Sequence, residues 1–467
     1  MAKAKVLVEL ERGLHKEGFQ AFSAAVSSES NAYEQCAYAL ESTAGLGVEP
    51  DENLAPVPMF GTRSGENGYD MPSDLAAFAD PNTNDDLPGA SLVIPVEVDH
   101  SNLDALRERD GVVGVWPNSR LFLYGDEEPG IEEIEVQTFD LARSRSGVDC
   151  RPFRPAVDIS VIRQLLGVSP LWRDGFRGQN VAVGIIDEGI NGDAYPVSGG
   201  FARIGSSRQP GSAPITSHGS MCAADVLVAA PAARLYDYPF LGVPNSGGAL
   251  AMFQAVLDQR RIDGTPHLTT NSYGYTGVPD RNDQPFHEVH DLDHPLHRKV
   301  REVVASGAAA FFAAGNCGEP CPTGRCHPSG IGPGLSIHAS NSLREVITVA
   351  AVNSRHERIG YSSQGPGMFE KEKPDLAAYT HFFGNFGPGR PGGTSASPFD
   401  SGTSAATPIA AGAAALLLSA FPELSPGDLR KALLAGLVST TGSPWDPGYG
   451  QGILNVAASY WNLLHKP

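Results

Sequence analysis

At 467 residues the chain has room for two or three domains of roughly 150 residues each, and 41% hydrophobic with 19% charged residues suits a sizeable buried core. A net charge of −19 excludes a general nucleic-acid binder, which needs a basic surface to neutralise phosphates. No run approaches the roughly 18 unbroken apolar residues of a membrane span, and the opening MAKAKVLVELERG sets Glu9 and Glu11 where the apolar core of a signal peptide would run, so a cytoplasmic location is expected.

Residues 4–10 (AKVLVEL) alternate as a half-buried strand does. Residues 15–46 have a helical composition, and the polar stretch 62–89, rich in Gly, Pro and Asn, reads as a long loop. A second strand follows at 90–98 (ASLVIPVEV). HSNLDALRERDG then predicts a short helix with Ser101 as N-cap and Gly111 as its stop, and VVGVWPNSRLFLYG supplies one or two further strands. Residues 1–125 therefore form a small α+β domain. Residues 126–161 carry GDEEPGIEEIEVQTF and ARSRSG without a period and read as a linker. From 162 to 467, short apolar runs (VAVGIID, ARLYDYP, HLTTNSYG, AAAFFAAGN, VITVAAV) alternate with helical segments such as GALAMFQAVLDQRR and HRKVREVVASG. That is the pattern of a parallel sheet covered on both faces.

In such a sheet, reactive groups gather at the carboxyl ends of the strands. VAVGII ends in Asp187, followed by Glu188 and Gly189. Ser217-His218-Gly219-Ser220 runs into MCAADVLVAA. Gly402-Thr403-Ser404-Ala405-Ala406-Thr407-Pro408 opens IAAGAAALLLSAF, with Ser404 at the mouth of an Ala-rich helix and Pro408 in its first turn. Taken singly, each is an ordinary structural feature: an Asp or Ser beside a helix is usually a cap, and a His beside an apolar segment is usually structural. Their order on one sheet supplies an acid, a base and a nucleophile. Glu188, next to Asp187, is expected to face the opposite way, into solvent.

In that order the three motifs resemble the subtilisin-like serine peptidases, whose triad runs Asp…His…Ser along the chain. Ala313-Ala314-Gly315-Asn316 resembles that family's oxyanion-hole strand end, Asn271-Ser272-Tyr273-Gly274 the segment lining its substrate cleft, and YGQGILN at 449–455 its closing motif. The resemblance covers residues 162–460. It implies an α/β fold: a parallel-sheet, subtilisin-like catalytic domain with a smaller α+β (ferredoxin-like) N-terminal domain. It implies a serine endopeptidase that cleaves protein or peptide substrates through an acyl-enzyme on Ser404. His218 would be the general base, Asp187 would orient it, and Asn316 with the Ser404 N–H would form the oxyanion hole. Ser272, Tyr273, Gly274, Ala313, Ala314 and Gly315 would bind substrate. Residues 1–125 are similar to the family's inhibitory propeptide, which implies an intramolecular inhibitory domain and a maturation cut between 125 and 160; the sequence does not choose the bond. A permanent accessory domain is the alternative for this region. Structural calcium is common in the family, but no ligands for it can be placed here, and neither nucleic acid nor membrane is expected as a partner. A catalytically silent, peptide-binding relative is the alternative function. A serine esterase of the α/β-hydrolase type is excluded, because it needs G-x-S-x-G and the order Ser…acid…His.

Four further features compete for attention. Cys317, Cys321 and Cys326, with His327, form C-x₃-C-x₄-C-H directly after Asn316 and read equally as a disulfide, a metal site or free thiols. His287, His290, His294 and His297, with Asp291 and Asp293, would share a helix face if the helix ran through them, but Pro295 interrupts it, so a polar surface loop is expected. Gly387, Gly389 and Gly392 spell G-x-G-x-x-G with no strand before and no helix after, which makes a loop. GTSASP at 393–398 imitates the serine motif without an apolar helix behind it, so Ser404 is preferred to Ser395.

Overall fold

The computed structural model describes residues 3–11, 40–59, 91–123, 148–150, 157–202, 209–240, 244–384, 399–440 and 442–465. Most of the helical stretch 15–46, the loop 62–89, most of 126–161, the glycine run 387–392 and the GTSASP segment lie outside these residues.

The N-terminal residues form an antiparallel sheet of β1 (Lys3–Glu11), β2 (Glu49–Pro50), β3 (Val57–Met59), β4 (Ser91–Asp99) and β5 (Val112–Pro117). The order is β2-β4-β1-β5, with β3 also on β4, and β1 pairs with β4 over its whole length. One face, with Val6, Val8, Leu10, Ile94 and Val96, closes over Leu106 of the single-turn helix α1 (Leu103–Arg107). Ser101 does not cap α1. It lies inside a preceding 3₁₀ turn, His100–Asn102, and Asn102 at the cap position sends its amide to Leu46 O at 2.8 Å. Gly111, at φ 77°, ends the segment as expected.

The rest of the chain runs β6 (Phe122–Leu123), β7 (Val148–Asp149), β8 (Val157–Asp158), α2 (Ile159–Leu166), α3 (Ser169–Arg173), β9 (Ala182–Asp187), β10 (Val197–Gly200), α4 (His218–Ala229), β11 (Arg234–Pro239) and α5 (Ser246–Asp263). It continues through β12 (Leu268–Asn271), β13 (Tyr273–Gly274), α6 (Pro295–Ala305), β14 (Ala309–Ala313), β15 (Ile347–Val352), β16 (Arg358–Ile359), β17 (Leu376–Tyr379), β18 (Phe382–Phe383), α7 (Gly402–Ala420), α8 (Pro426–Ala435) and α9 (Val456–Leu464). The large sheet has the order β10-β11-β9-β12-β14-β15-β16-β7, with β17 also on β15; only the β15–β16 pairing is antiparallel. Alternate residues of β9 feed two cores. Val183 and Ile185 pack with α4 and α7 on one face, and Ala182 and Ile186 pack with α5 and α6 on the other. α7 is long and apolar enough by length and composition to cross a membrane, yet 89% of that window is buried in the fold, so it is a core helix. It packs close to α4 because Gly412 has no side chain: a Cβ there would lie 2.3 Å from Val226 O.

The second face of the N-terminal sheet is also covered. Leu7, Val93 and Trp116 join the core of α5 and α6. β1 is thus buried on both faces rather than one, and Glu9 is 1% exposed, accepting from Arg298 of α6 at 2.7 Å and from the Ser91 hydroxyl. The same cover corrects the reading of the histidine-rich stretch as a surface loop, since His287, His294 and His297 are 7%, 0% and 0% exposed. His294 Nε2–H donates to Pro117 O at 3.3 Å, Trp116 Nε1–H donates to Asp291 at 2.9 Å, and His297 Nε2–H donates to Glu288 O at 2.7 Å. The cysteine alternatives also resolve: Cys317 bonds to Cys326, Cys321 bonds to Cys150 across 171 residues, and Cys222 is a buried free thiol.

Candidate active site

β9 ends at Asp187, and α4 begins at His218, so a strand end and a helix start deliver two of the three motifs to one place. His218 Nδ1–H donates to Asp187 Oδ1 at 2.8 Å and lies 3.0 Å from Oδ2. Both side chains are buried, at 1% and 3% exposure. Ser217 is the N-cap of α4: its Oγ accepts from the Ser220 N–H at 3.1 Å and donates to Gly189 O at 2.8 Å. The two glycines of the motifs interlock, because a Cβ on Gly219 would lie 2.5 Å from Gly189 O. Glu188 is not solvent-facing as expected. Its carboxylate accepts from the His218 backbone N–H at 3.1 Å, at the positive end of α4.

The other imidazole nitrogen, Nε2, is buried and has no hydrogen-bond partner among the described residues. Burial opposes the charged ring, but the Asp187 carboxylate, with a smaller contribution from Cys222, outweighs it and holds His218 well above the usual histidine value.

Ser404 lies in the first turn of α7 and is fully buried. Pro408 lies in the second turn, not the first. That placement has a local consequence. A helix needs the N–H of residue 408 for the carbonyl of 404, and proline has none. The Ser404 carbonyl instead accepts from Ser272 Oγ at 3.2 Å and from Cys222 Sγ at 3.8 Å, while Ser404 Oγ donates to Ser272 O at 3.4 Å. The serine is therefore tied to the cleft segment rather than to its own helix. Cys222 also stands 3.7 Å from Asp187 Oδ2 and 3.9 Å from His218 Nδ1, so all three motifs meet at its sulfur. Burial first, then the Asp187 charge, pushes this thiol up to about 11, which keeps it protonated at neutral pH.

Asn316 follows the end of β14 and is oriented by the neighbour of the serine. Its Oδ1 accepts both the Thr403 N–H at 3.0 Å and the Thr403 hydroxyl at 2.9 Å, so Nδ2 is the end turned away from Thr403. The Cys317–Cys326 loop folds back on it, with the Thr323 N–H donating to Asn316 O at 3.1 Å.

The cleft segment behaves as a strand partner. Tyr273 and Gly274 pair antiparallel with Leu123 and Phe122. On the other side, the Leu121 N–H donates to Pro244 O at 2.8 Å and the Ser246 N–H to Ser119 O at 2.9 Å. Residues 119–123 thus run between two walls, 244–246 and 273–274, with Leu121 and Leu123 buried and Arg120 exposed. Asn341 ties one wall to the sheet, its Nδ2 donating to Tyr273 O at 2.9 Å and Ala313 O at 2.8 Å. A cavity of about 650 Å³ opens beside the segment, against Arg120, Phe122, Tyr275 and His287. Of the residues singled out from sequence, Asp187, His218, Ser404, Ser272 and Asn316 are joined directly or through Cys222 and Thr403, and Ala313, Ala314 and Gly315 lead into Asn316. Sequence reading missed Cys222, Thr403 and Asn341. The first two had a signal, four residues after His218 and inside the serine motif; Asn341 had none.

Residues 178–452, more than half of the chain, match the family model described as the Subtilase family. The chain is 29% identical over 304 residues to subtilisin DY of Bacillus licheniformis, covering 63% of this chain and 96% of that protein. It is 28% identical over 305 residues to subtilisin E of Bacillus subtilis strain 168, covering 62% and 68%. Among solved structures, fervidolysin from Fervidobacterium pennivorans, described as a keratinolytic enzyme related to subtilisin, matches with a TM-score of 0.55 and 16% identity over 98% of this chain and 61% of that one. At that identity the match shows a shared fold.

Proposed function

Because the chain belongs to the subtilase family and is a serine peptidase, we propose that Asp187, His218 and Ser404 are its catalytic triad and Asn316 its oxyanion donor. The observation that carries the assignment is the buried His218 ring, fixed to Asp187 on one edge and without a described partner on the other. A serine hydroxyl is a poor nucleophile until a base removes its proton. His218 Nε2 takes it, and the Ser404 oxygen attacks the substrate carbonyl. The oxyanion receives hydrogen bonds from Asn316 Nδ2 and the Ser404 N–H. His218 then protonates the leaving amine, and water repeats the sequence on the acyl-enzyme. A fluorophosphonate probe tests the assignment: its adduct should map to Ser404. Asn316→Ala should lower kcat by about 10²–10³ with little change in KM, the magnitude found for loss of one such donor in subtilisin. Steady-state kinetics on a peptide anilide reads it, and an unchanged kcat would remove Asn316 from the hole. A catalytically silent, peptide-binding role is not favoured, because every chemical position is occupied by a competent residue.

Residues 1–123 support a second reading, that the N-terminal domain holds the enzyme latent. Residues 119–123 fill the groove antiparallel to the cleft segment, as a substrate would. Asn118 Oδ1 accepts from the Gly247 N–H at 2.8 Å at the start of α5. The buried Glu9–Arg298 pair fastens the sheet, and removing one partner of such a pair costs roughly 3–5 kcal/mol. The register also supports one choice of bond. With Leu123 opposite Tyr273, the next partner position is Ser272, beside Ser404. The cut is therefore expected after Tyr124, at the end of the N-terminal domain and just ahead of the linker and of the 125–160 window expected from the sequence. Intact-mass measurement of the purified wild type should show a chain starting at Gly125; a full-length wild type that takes the probe would instead support a permanent accessory domain. Two disulfides, which persist in oxidising surroundings, favour such a compartment over the cytoplasmic location expected from the first residues.

A further inference from the structure

The stretch between β13 and α6 buries a carboxylate for which the triad has no use. Glu288 is 1% exposed. Its Oε2 accepts the Ser246 hydroxyl at 2.7 Å and the Tyr275 hydroxyl, and those two hydroxyls are themselves 3.0 Å apart. No arginine or lysine pairs with it among the described residues. The basic side chain nearest its carboxylate among the described residues, His294, has its Nδ1 3.9 Å away, and burial pushes that imidazole well below the usual histidine value. A buried acid held by two hydroxyls is costly to maintain, which makes the location of those hydroxyls informative. Ser246 belongs to one wall of the groove and gives its backbone N–H to Ser119 O. Tyr275 directly follows β13, the other wall. Glu288 therefore joins the two walls at the end of the groove remote from Ser404.

We propose that Glu288 is a positioning residue of the acyl-side groove: through Ser246 and Tyr275 it fixes the distance between the two walls, and so sets how tightly an extended peptide reaching as far back as the place of Ser119 is held. The inference rests on the peptidase reading of the same cleft. It makes the preferred substrate an extended chain, with Ser246 acting on the residue at the far end and nothing from Glu288 reaching the reacting bond. Burial, opposed by the two hydroxyl donors, pushes this carboxyl up to about 7. Either protonation state leaves an oxygen able to accept, and so would the amide of Gln.

Two measurements test it. With processed enzyme, the hexapeptide anilide Ser-Arg-Leu-Phe-Leu-Tyr, copied from residues 119–124, is compared with the dipeptide anilide Leu-Tyr. Glu288→Ala should reduce the hexapeptide-to-dipeptide ratio of kcat/KM about tenfold, as loss of a hydrogen bond to a charged group would, and chiefly through KM. Glu288→Gln should restore the ratio, while Ser246→Ala and Tyr275→Phe, each leaving Glu288 a single hydroxyl donor, should each lower it. An unchanged ratio, an equal loss on both substrates, or a Gln variant as poor as Ala would overturn the proposal. The second measurement needs no activity. In full-length Ser404→Ala, adding Glu288→Ala should speed hydrogen exchange of the Leu121 and Ser246 amides at least tenfold, with Glu288→Gln near the parent. No acceleration there, or the same acceleration throughout the core strands, would also overturn it. A wild type that cleaves neither anilide would count against the peptidase reading alone, leaving the exchange result to decide this one.

Discussion

Ser404→Ala should lose roughly 10⁶ in kcat, the magnitude that removal of the nucleophile costs in subtilisin itself, and should leave the chain full-length. Both effects follow from one hydroxyl. The Ser404 backbone is held by Ser272 and Cys222 through its carbonyl, so the substitution leaves its anchorage in place. Asn316 keeps both contacts to Thr403, and His218 keeps Asp187. What remains is a formed site without a nucleophile, and the residual rate should be what the oxyanion donors and binding supply. The measurement is an intact-mass spectrum with and without the fluorophosphonate probe, beside Ser395→Ala, which should label and mature as the wild type does. Labelling of Ser404→Ala, or its loss in Ser395→Ala, would move the nucleophile to the GTSASP segment.

The parts of the site carried by contiguous residues were legible in the sequence. Asp187 ends an apolar run, His218 opens a helix after a capping Ser217, and Ser404 precedes Ala-rich α7. In each case the local pattern that forms the element also places the side chain. The order of acid, base and nucleophile on one parallel sheet did the rest. Even here, Pro408 shows the limit of local reading. Proline statistics favour the first turn, whereas this proline sits in the second and releases the Ser404 carbonyl to Ser272.

What could not be read came from contacts made across long stretches of chain. Composition made the histidine-rich stretch look like a solvated loop. It is buried because Trp116 and Pro117, some 175 residues earlier, lie over it. Glu9 counted only as a charge in the wrong place for a signal peptide, yet its partner Arg298 lies 289 residues away. Three clustered cysteines suggested a local answer, but one of them bonds to Cys150 in a segment without periodicity. The two-sided burial of β1 has the same origin, since alternation reports one covered face and α5 and α6, far along the chain, supply the other.

Asp187→Asn should cost roughly 10⁴ in kcat, the order found when the triad aspartate is replaced in other serine peptidases, and should change the pH profile in a direction the environment of His218 dictates. Two influences dominate on that ring, with Cys222 adding less. Burial favours the neutral form, whereas the carboxylate 2.8 Å from Nδ1 favours the imidazolium and prevails, so the folded-state pKa lies above the ordinary value of about 6.5. A general base must be neutral to act, so the acid limb of kcat/KM should fall above pH ~6.5 in the mature wild type. The linked stability runs the other way. The favourable charge on His218 contributes fully below the unfolded pKa and is lost as pH rises through the folded one, so the enzyme gains activity over the window in which this pair stops stabilising it. In Asp187→Asn the opposing carboxylate is gone and burial meets only the smaller contribution of Cys222. The acid limb should then move to lower pH even as the rate collapses, because an asparagine can also hold the ring in the wrong tautomer. A pH–rate profile of the two mature proteins, produced by the same route, reads both effects. A rate loss with no downward movement of the limb would mean that a group other than His218 sets the acid limb, and the assignment of the base would have to be made again.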